Sequence, residues 1–114
     1  MSESPESVTI AREIYDSSQR LHDGSQKLFG LAKKWAEAER DYRRALAVEI
    51  LLLKDQKMPA TLIPDLARGN CSELKFQRDL AEATYKSGRD ALEAIRSQMN
   101  GLQTIVKFQK EIQE

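Results

Sequence analysis

Two of the three prolines in this chain, Pro59 and Pro64, fall inside the stretch Met58-Pro59-Ala60-Thr61-Leu62-Ile63-Pro64-Asp65-Leu66-Ala67-Arg68-Gly69-Asn70, and the long segments on either side have no internal proline. An interior helical turn needs the backbone donor that proline lacks, and the proline ring clashes with the turn before it. A long helix can therefore fill either flank but not this stretch. The chain is expected to be all-α: a long antiparallel helical hairpin, with a first helix over about 5–57, a loop over 58–70 and a second helix over about 71–112.

At 114 residues the chain reads as one helical domain, and a two-helix hairpin of that length buries less per residue than a compact globule. Assembly into a bundle with further copies would supply the missing cover, so a homo-oligomer is expected. Charged residues make up 32% and aromatics 6%, a mixture suited to long solvent-facing helices. Lys and Arg number 18 and Asp and Glu 18. The balance also holds locally, at 10 against 10 up to Lys57 and 8 against 8 from Met58 onward. Neither half is a basic arm, and zero net charge argues against binding that rests on many phosphate contacts.

The single cysteine, Cys71, excludes an internal disulfide, and a reducing, cytoplasmic setting is expected. The acidic start Met1-Ser2-Glu3-Ser4-Pro5-Glu6 does not read as a signal peptide. The longest apolar run, Ile50-Leu51-Leu52-Leu53, is far short of the ~20 residues that span a bilayer.

Ser4-Pro5 suits a helix start, since Ser caps and Pro is tolerated in the first turn. Ile10, Ile14, Tyr15 and Leu21 then follow at helical spacing. His22-Asp23-Gly24-Ser25 leaves two alternatives. Glycine costs about 1 kcal/mol relative to Ala in a helix interior, and Asp23 with Gln26 has capping-box spacing. The first helix is therefore either continuous or broken at 23–25, the latter giving a three-helix arrangement. From Ser25 to Lys57, Leu28, Leu31, Trp35, Ala38, Tyr42, Ala45 and Leu46 recur at steps of three and four, and Ile50 and Leu53 continue one position over. That drift favours bundle packing over a strict heptad seam.

Past the loop, Gly69 is placed to close a short turn begun at Pro64, and Asn70 with Glu73 has capping-box spacing. The second stripe runs Leu74, Ala81, Tyr85, Gly88, Leu92, Ile95, Met99, Leu102, Val106 and Ile112, with Asn100-Gly101 as a second candidate break.

Nothing in the pattern supports an enzyme. His22 is the only histidine, adjacent helical residues such as His22 and Asp23 do not face each other, and no nucleophile motif accompanies them. Cys71 next to a helix start is a candidate nucleophile in principle, but a lone small residue there is more often a capping-region residue. Glu37, Glu39 and Asp41 interleave with Arg40, Arg43 and Arg44 as a ladder of pairs, not a metal site. No metal or cofactor is expected. Trp35 and Tyr42, seven apart on the apolar stripe, read as core.

Two candidate surfaces remain. Leu62, Ile63 and Leu66 lie where a connector would ordinarily be short and polar. They either fold back to cap the bundle or, with Asp65 and Arg68, form a docking tip for another protein, apolar anchors with charged flanks. The alternative is a nucleic-acid face built from Lys33, Lys34, Arg40, Arg43 and Arg44 beside aromatic residues. The leading expectation is a noncatalytic protein-interaction module.

The run Ala38-Glu39-Arg40-Asp41-Tyr42-Arg43-Arg44 through Pro59-Ala60-Thr61-Leu62-Ile63-Pro64-Asp65-Leu66-Ala67-Arg68-Gly69 resembles small helical proteins of unassigned role encoded in prophages of Gram-positive bacteria. The resemblance implies a phage accessory factor that binds and modulates a host or phage protein. The small secreted hairpins named for a Trp-x-Gly turn do not fit, since here Trp35-Ala36-Glu37 lies within a helical stretch.

Overall fold

The computed structural model describes residues 5–113 and is an all-α helical hairpin, with no strand among the described residues. The helices are α1 (Pro5–Asp55), α2 (Ile63–Asn70) and α3 (Ser72–Gln113). Ser4, the expected first cap, lies outside the described residues. None of the helices is long and apolar enough to cross a membrane.

The chain divides into two compact units, one formed by Phe29–Lys86 and the other by Met1–Leu28 with Ser87–Glu114. In the Phe29–Lys86 unit, α1 ends before Pro59 is reached. Lys57 takes a left-handed backbone conformation at φ 61°. Its N–H donates to Lys54 O at 3.0 Å, and the next, from Met58, donates to Leu53 O at 3.1 Å. These two bonds make a Schellman cap, which satisfies carbonyls that the last turn leaves free. Glycine is the usual occupant of that position, so a pattern search for Gly misses this stop.

The expected loop over 58–70 is corrected here: only its first part is loop, and Ile63–Asn70 is the helix α2. Pro64 sits in the first turn of α2, where its missing donor costs nothing. Gly69 does not close a turn, because it lies inside α2 and no glycine has positive φ among the described residues. Asn70 does not cap α3 either. Its side chain donates instead to Glu49 Oε1 on α1 at 2.7 Å, and Glu73 accepts from Gln77. Cys71 alone separates α2 from α3. Its N–H donates to Ala67 O, its carbonyl accepts from Lys75 N–H, and its side chain is buried.

The period of α2 explains its docking. Ile63 and Ala67, four apart, point inward and pack with Leu53, with Leu46 and Ile50 partly buried around them. Burying a side chain such as Ile63 or Leu53 stabilises by about 1.5–3 kcal/mol. Further along, Tyr42 is buried and Trp35 meets Tyr85 with ring centroids 5.4 Å apart, as expected of stripe residues.

In the other unit, α1 continues without a break through His22-Asp23-Gly24-Ser25. The Ser25 hydroxyl donates to Leu21 O at 2.8 Å, and Gln26 lies against His22 rather than back-capping Asp23. Gly24 has a packing reason: a Cβ there would overlap Leu92 Cδ2 and stand 3.4 Å from its Cγ. The glycine makes room for Leu92 of α3 and is not where α1 stops. Ser17, seven residues earlier on the same face, is buried, and Leu92, Ile95, Met99 and Leu102 are half-buried along α3. Asn100-Gly101 is likewise inside α3, while Val106 and Ile112, expected on the stripe, are exposed.

Candidate functional site

At the tip of the Phe29–Lys86 unit, α2 carries apolar residues on two faces. Ile63 and Ala67 face the core, at 6% and 0% exposure, while Leu62 and Leu66 remain 51% and 38% exposed. Met58, in the connector, is exposed as well. Arg68 donates to Asp65 at 3.1 Å, an exposed pair one turn apart on α2.

The two readings of the tip thus divide by residue. Ile63 is withdrawn from the docking set, because it caps the end of the hairpin. Leu62 and Leu66 keep the geometry of a docking surface, with Asp65 and Arg68 beside them. Met58 was missed. The signal was legible in Leu62, Ile63, Leu66 and Ala67, two interleaved steps of four that already spell a short amphipathic helix.

The basic segment is partly neutralised. Lys33 lies 3.9 Å from Glu37, Arg40 is 3.0 Å from Asp41, and Arg43 is 2.6 Å from Glu39. Lys34 and Arg44 form no ion pair among the described residues. The five cations therefore present no continuous positive face.

Glu39 also reaches across the hairpin to Arg78 at 3.2 Å. The Arg78 guanidinium contacts Asp79 at 2.9 Å and lies 5.2 Å from the Tyr42 ring centroid, so cation–π attraction adds to two ion pairs. Lys75 completes the cluster at 2.9 Å from Asp79. The Arg43 hydrogen bond, reinforced by Arg78, holds the Glu39 carboxyl below its ordinary range. Lys75 and then Arg78 do the same for Asp79, and Asp79 in turn raises Arg78. The Glu39 to Arg43 step was legible as an i to i+4 pair. Arg78 was not, since it meets Glu39 only after the chain reverses. The arrangement is a clamp between helices, with each charge already answered.

His22 is exposed, and its ring Nε2 lies 3.4 Å from Gln26 Nε2. Among the described residues no three metal-binding side chains converge. Compared with known proteins, the chain matches no family model, no curated sequence and no solved structure.

Proposed function

We propose that the chain is a noncatalytic protein-interaction module that docks through Met58, Leu62 and Leu66 at the hairpin tip, with Asp65 and Arg68 as its polar flank. The observation that carries the reading is the split of α2: Ile63 and Ala67 hold the helix rigidly against Leu53 while Leu62 and Leu66 stay in water. A rigid platform with uncovered apolar anchors fits a docking site, because little ordering entropy is lost when a partner covers it. The three phenylalanines, Phe29, Phe76 and Phe108, are all at least 58% exposed, which supports a chain used in company. The resemblance to prophage-encoded helical proteins favours a cytoplasmic phage accessory role, with a host or phage protein as the partner.

The nucleic-acid reading has less support, given the carboxylates already paired with Lys33, Arg40 and Arg43. Affinity capture from lysate with wild type and with the Leu62→Ser, Leu66→Ser double variant tests the tip. The expected result is a specific partner retained by wild type and lost by a variant whose helicity, by circular dichroism, is unchanged. A partner held equally by both would refute the tip as its docking surface.

A further inference from the structure

A succinimide forms when a backbone nitrogen attacks the side-chain carbonyl carbon of the Asn or Asp before it, and a following glycine leaves that nitrogen least hindered. The chain holds two asparagines, in Asn70-Cys71 and Asn100-Gly101, and one aspartate before glycine, in Asp23-Gly24. The structure treats the three pairs differently.

Asn70 is held on both sides of the reacting bond. Its side-chain amide donates to Glu49 Oε1 at 2.7 Å, and the Cys71 nitrogen that would attack it donates to Ala67 O at 3.1 Å. Gly24 is packed, since Leu92 occupies the place where its Cβ would be. At Asn100-Gly101 both residues are exposed, and a Cβ built on Gly101 would meet nothing within 4 Å. The Asn100 main-chain carbonyl accepts from the Thr104 hydroxyl at 3.0 Å, a back-bond that slightly weakens a helix.

A closed helix forbids the reaction, because helical torsion angles keep the Gly101 nitrogen in the hydrogen-bond ladder and away from Asn100 Cγ. Opening is therefore the controlling step, and local opening concentrates where buried contacts are few. Half-buried residues recur along α3 at Gly88, Leu92, Ile95 and Met99 and then thin out. From Gly101 to Ile112 only Leu102 and Gln109 are half-buried, while Ile105, Val106, Phe108 and Ile112 are exposed. That end piece is about as long as the ~12–15 residues at which an isolated helix is marginal in water. Gly101 stands at its root, and glycine is the poorest helix former after proline. We propose that Asn100 is a site of spontaneous deamidation, reached when the end of α3 opens as far as Gly101.

In the open chain the Gly101 nitrogen bonds to Asn100 Cγ, and the side-chain nitrogen leaves as ammonia with the proton that Gly101 gives up. Water then adds to one of the two carbonyls of the resulting imide and breaks its bond to nitrogen. One product has aspartate at position 100. In the other the main chain runs through the former side-chain carbon and is one methylene longer. Both carry a new negative charge, and water is the only co-reactant. The longer linkage cannot continue an α-helix, because it puts the following N–H groups out of register with the carbonyls four residues back. In that product α3 ends near Met99, and Ile105, Phe108 and Ile112 lose the common face that helical spacing gives them. This site is separate from the tip and does not rest on the docking reading.

Trypsin places the three pairs in separate peptides, Leu21–Lys27, Gly69–Lys75 and Ser97–Lys107. The test is to hold the full chain in warm neutral buffer, digest it at intervals and follow each peptide by mass spectrometry, with isoaspartyl methyltransferase labelling for the longer linkage. The mass gain of an amide-to-acid conversion and the label are expected to accumulate in Ser97–Lys107. Gly69–Lys75 should keep its mass, Leu21–Lys27 should stay unlabelled, and helicity by circular dichroism should fall in step with the labelled fraction. Gly101→Ala should slow conversion ~5-fold through helix propensity alone. Three results would each overturn the proposal: a Ser97–Lys107 peptide still intact when the urea-unfolded chain has converted, conversion of Asn70 as fast as that of Asn100, or a Gly101→Ala rate equal to wild type. Labelled chain of undiminished helicity would overturn the ending of α3 at Met99.

Discussion

Gly24→Ala separates the two explanations for a glycine in the middle of a helix. Were Gly24 merely a weak point in α1, alanine would stabilise the protein by about 1 kcal/mol, the difference in helix propensity. The structure opposes that gain with a steric term, because the new methyl overlaps Leu92 Cδ2. Leu92 is half-buried, so relief requires its side chain to leave its rotamer or the helices to part. Overpacking of this kind costs about 1–3 kcal/mol. With the propensity gain subtracted, Gly24→Ala is expected to destabilise by about 1 kcal/mol. Removing the obstacle reverses the sign: in a Leu92→Ala background the methyl has room, and the substitution should stabilise by about 1 kcal/mol. The double-mutant cycle thus carries a coupling of about 2 kcal/mol. Urea unfolding followed by circular dichroism measures all four proteins. The reasoning is refuted if Gly24→Ala stabilises by the same amount in both backgrounds.

Three further outcomes follow from the hairpin end and the clamp. Lys57→Gly should stabilise by about 0.5–1 kcal/mol, because glycine takes the left-handed conformation of the Schellman cap without a Cβ penalty; a loss of stability in urea titration would contradict that cap. Ile63→Ala should cost about 2–4 kcal/mol and Leu62→Ala less than about 0.5 kcal/mol, since only Ile63 is packed against Leu53; equal losses would mean that both residues cap the hairpin. Glu39 and Asp79 have native pKa values lowered from 4.5 and 3.8, so in acid the unfolded chain binds more protons at these sites than the native one. Their contribution is complete above those ordinary values and is lost as pH falls through the lowered native ones. Arg78→Gln should flatten stability against pH in that window, and an unchanged slope would show that the clamp contributes nothing there.

How legible each feature was in the sequence depended on how local its cause is. The apolar stripe through Leu28, Trp35, Tyr42 and Leu46 announces α1 because helical period is a property of neighbouring residues. The reversal near Pro59 was legible for the same reason, although α1 ends at Asp55 and is closed by Lys57, whose left-handed conformation leaves no mark in a residue type that seldom adopts it. Within the tip, the prolines suggested loop throughout, yet a first-turn proline is compatible with a helix, and the four-residue steps of Ile63 with Ala67 decided the matter through burial. Leu62 and Leu66 belong to the candidate site because the packing of α2 turned them outward, and Ile63 left it because the same packing turned it in.

By itself the sequence determined the class of the fold: two long helices and a reversal, from period, proline placement and balanced charge, all of which act over a few residues. Only tertiary structure decided whether Gly24 breaks a helix or receives Leu92, whether Asn70 caps α3 or bonds Glu49, and that Arg78 joins Glu39 above Tyr42. These pairs are far apart along the chain and become neighbours only when the hairpin closes. Their energies depend on distance, burial and the partner across the seam, none of which a local pattern encodes.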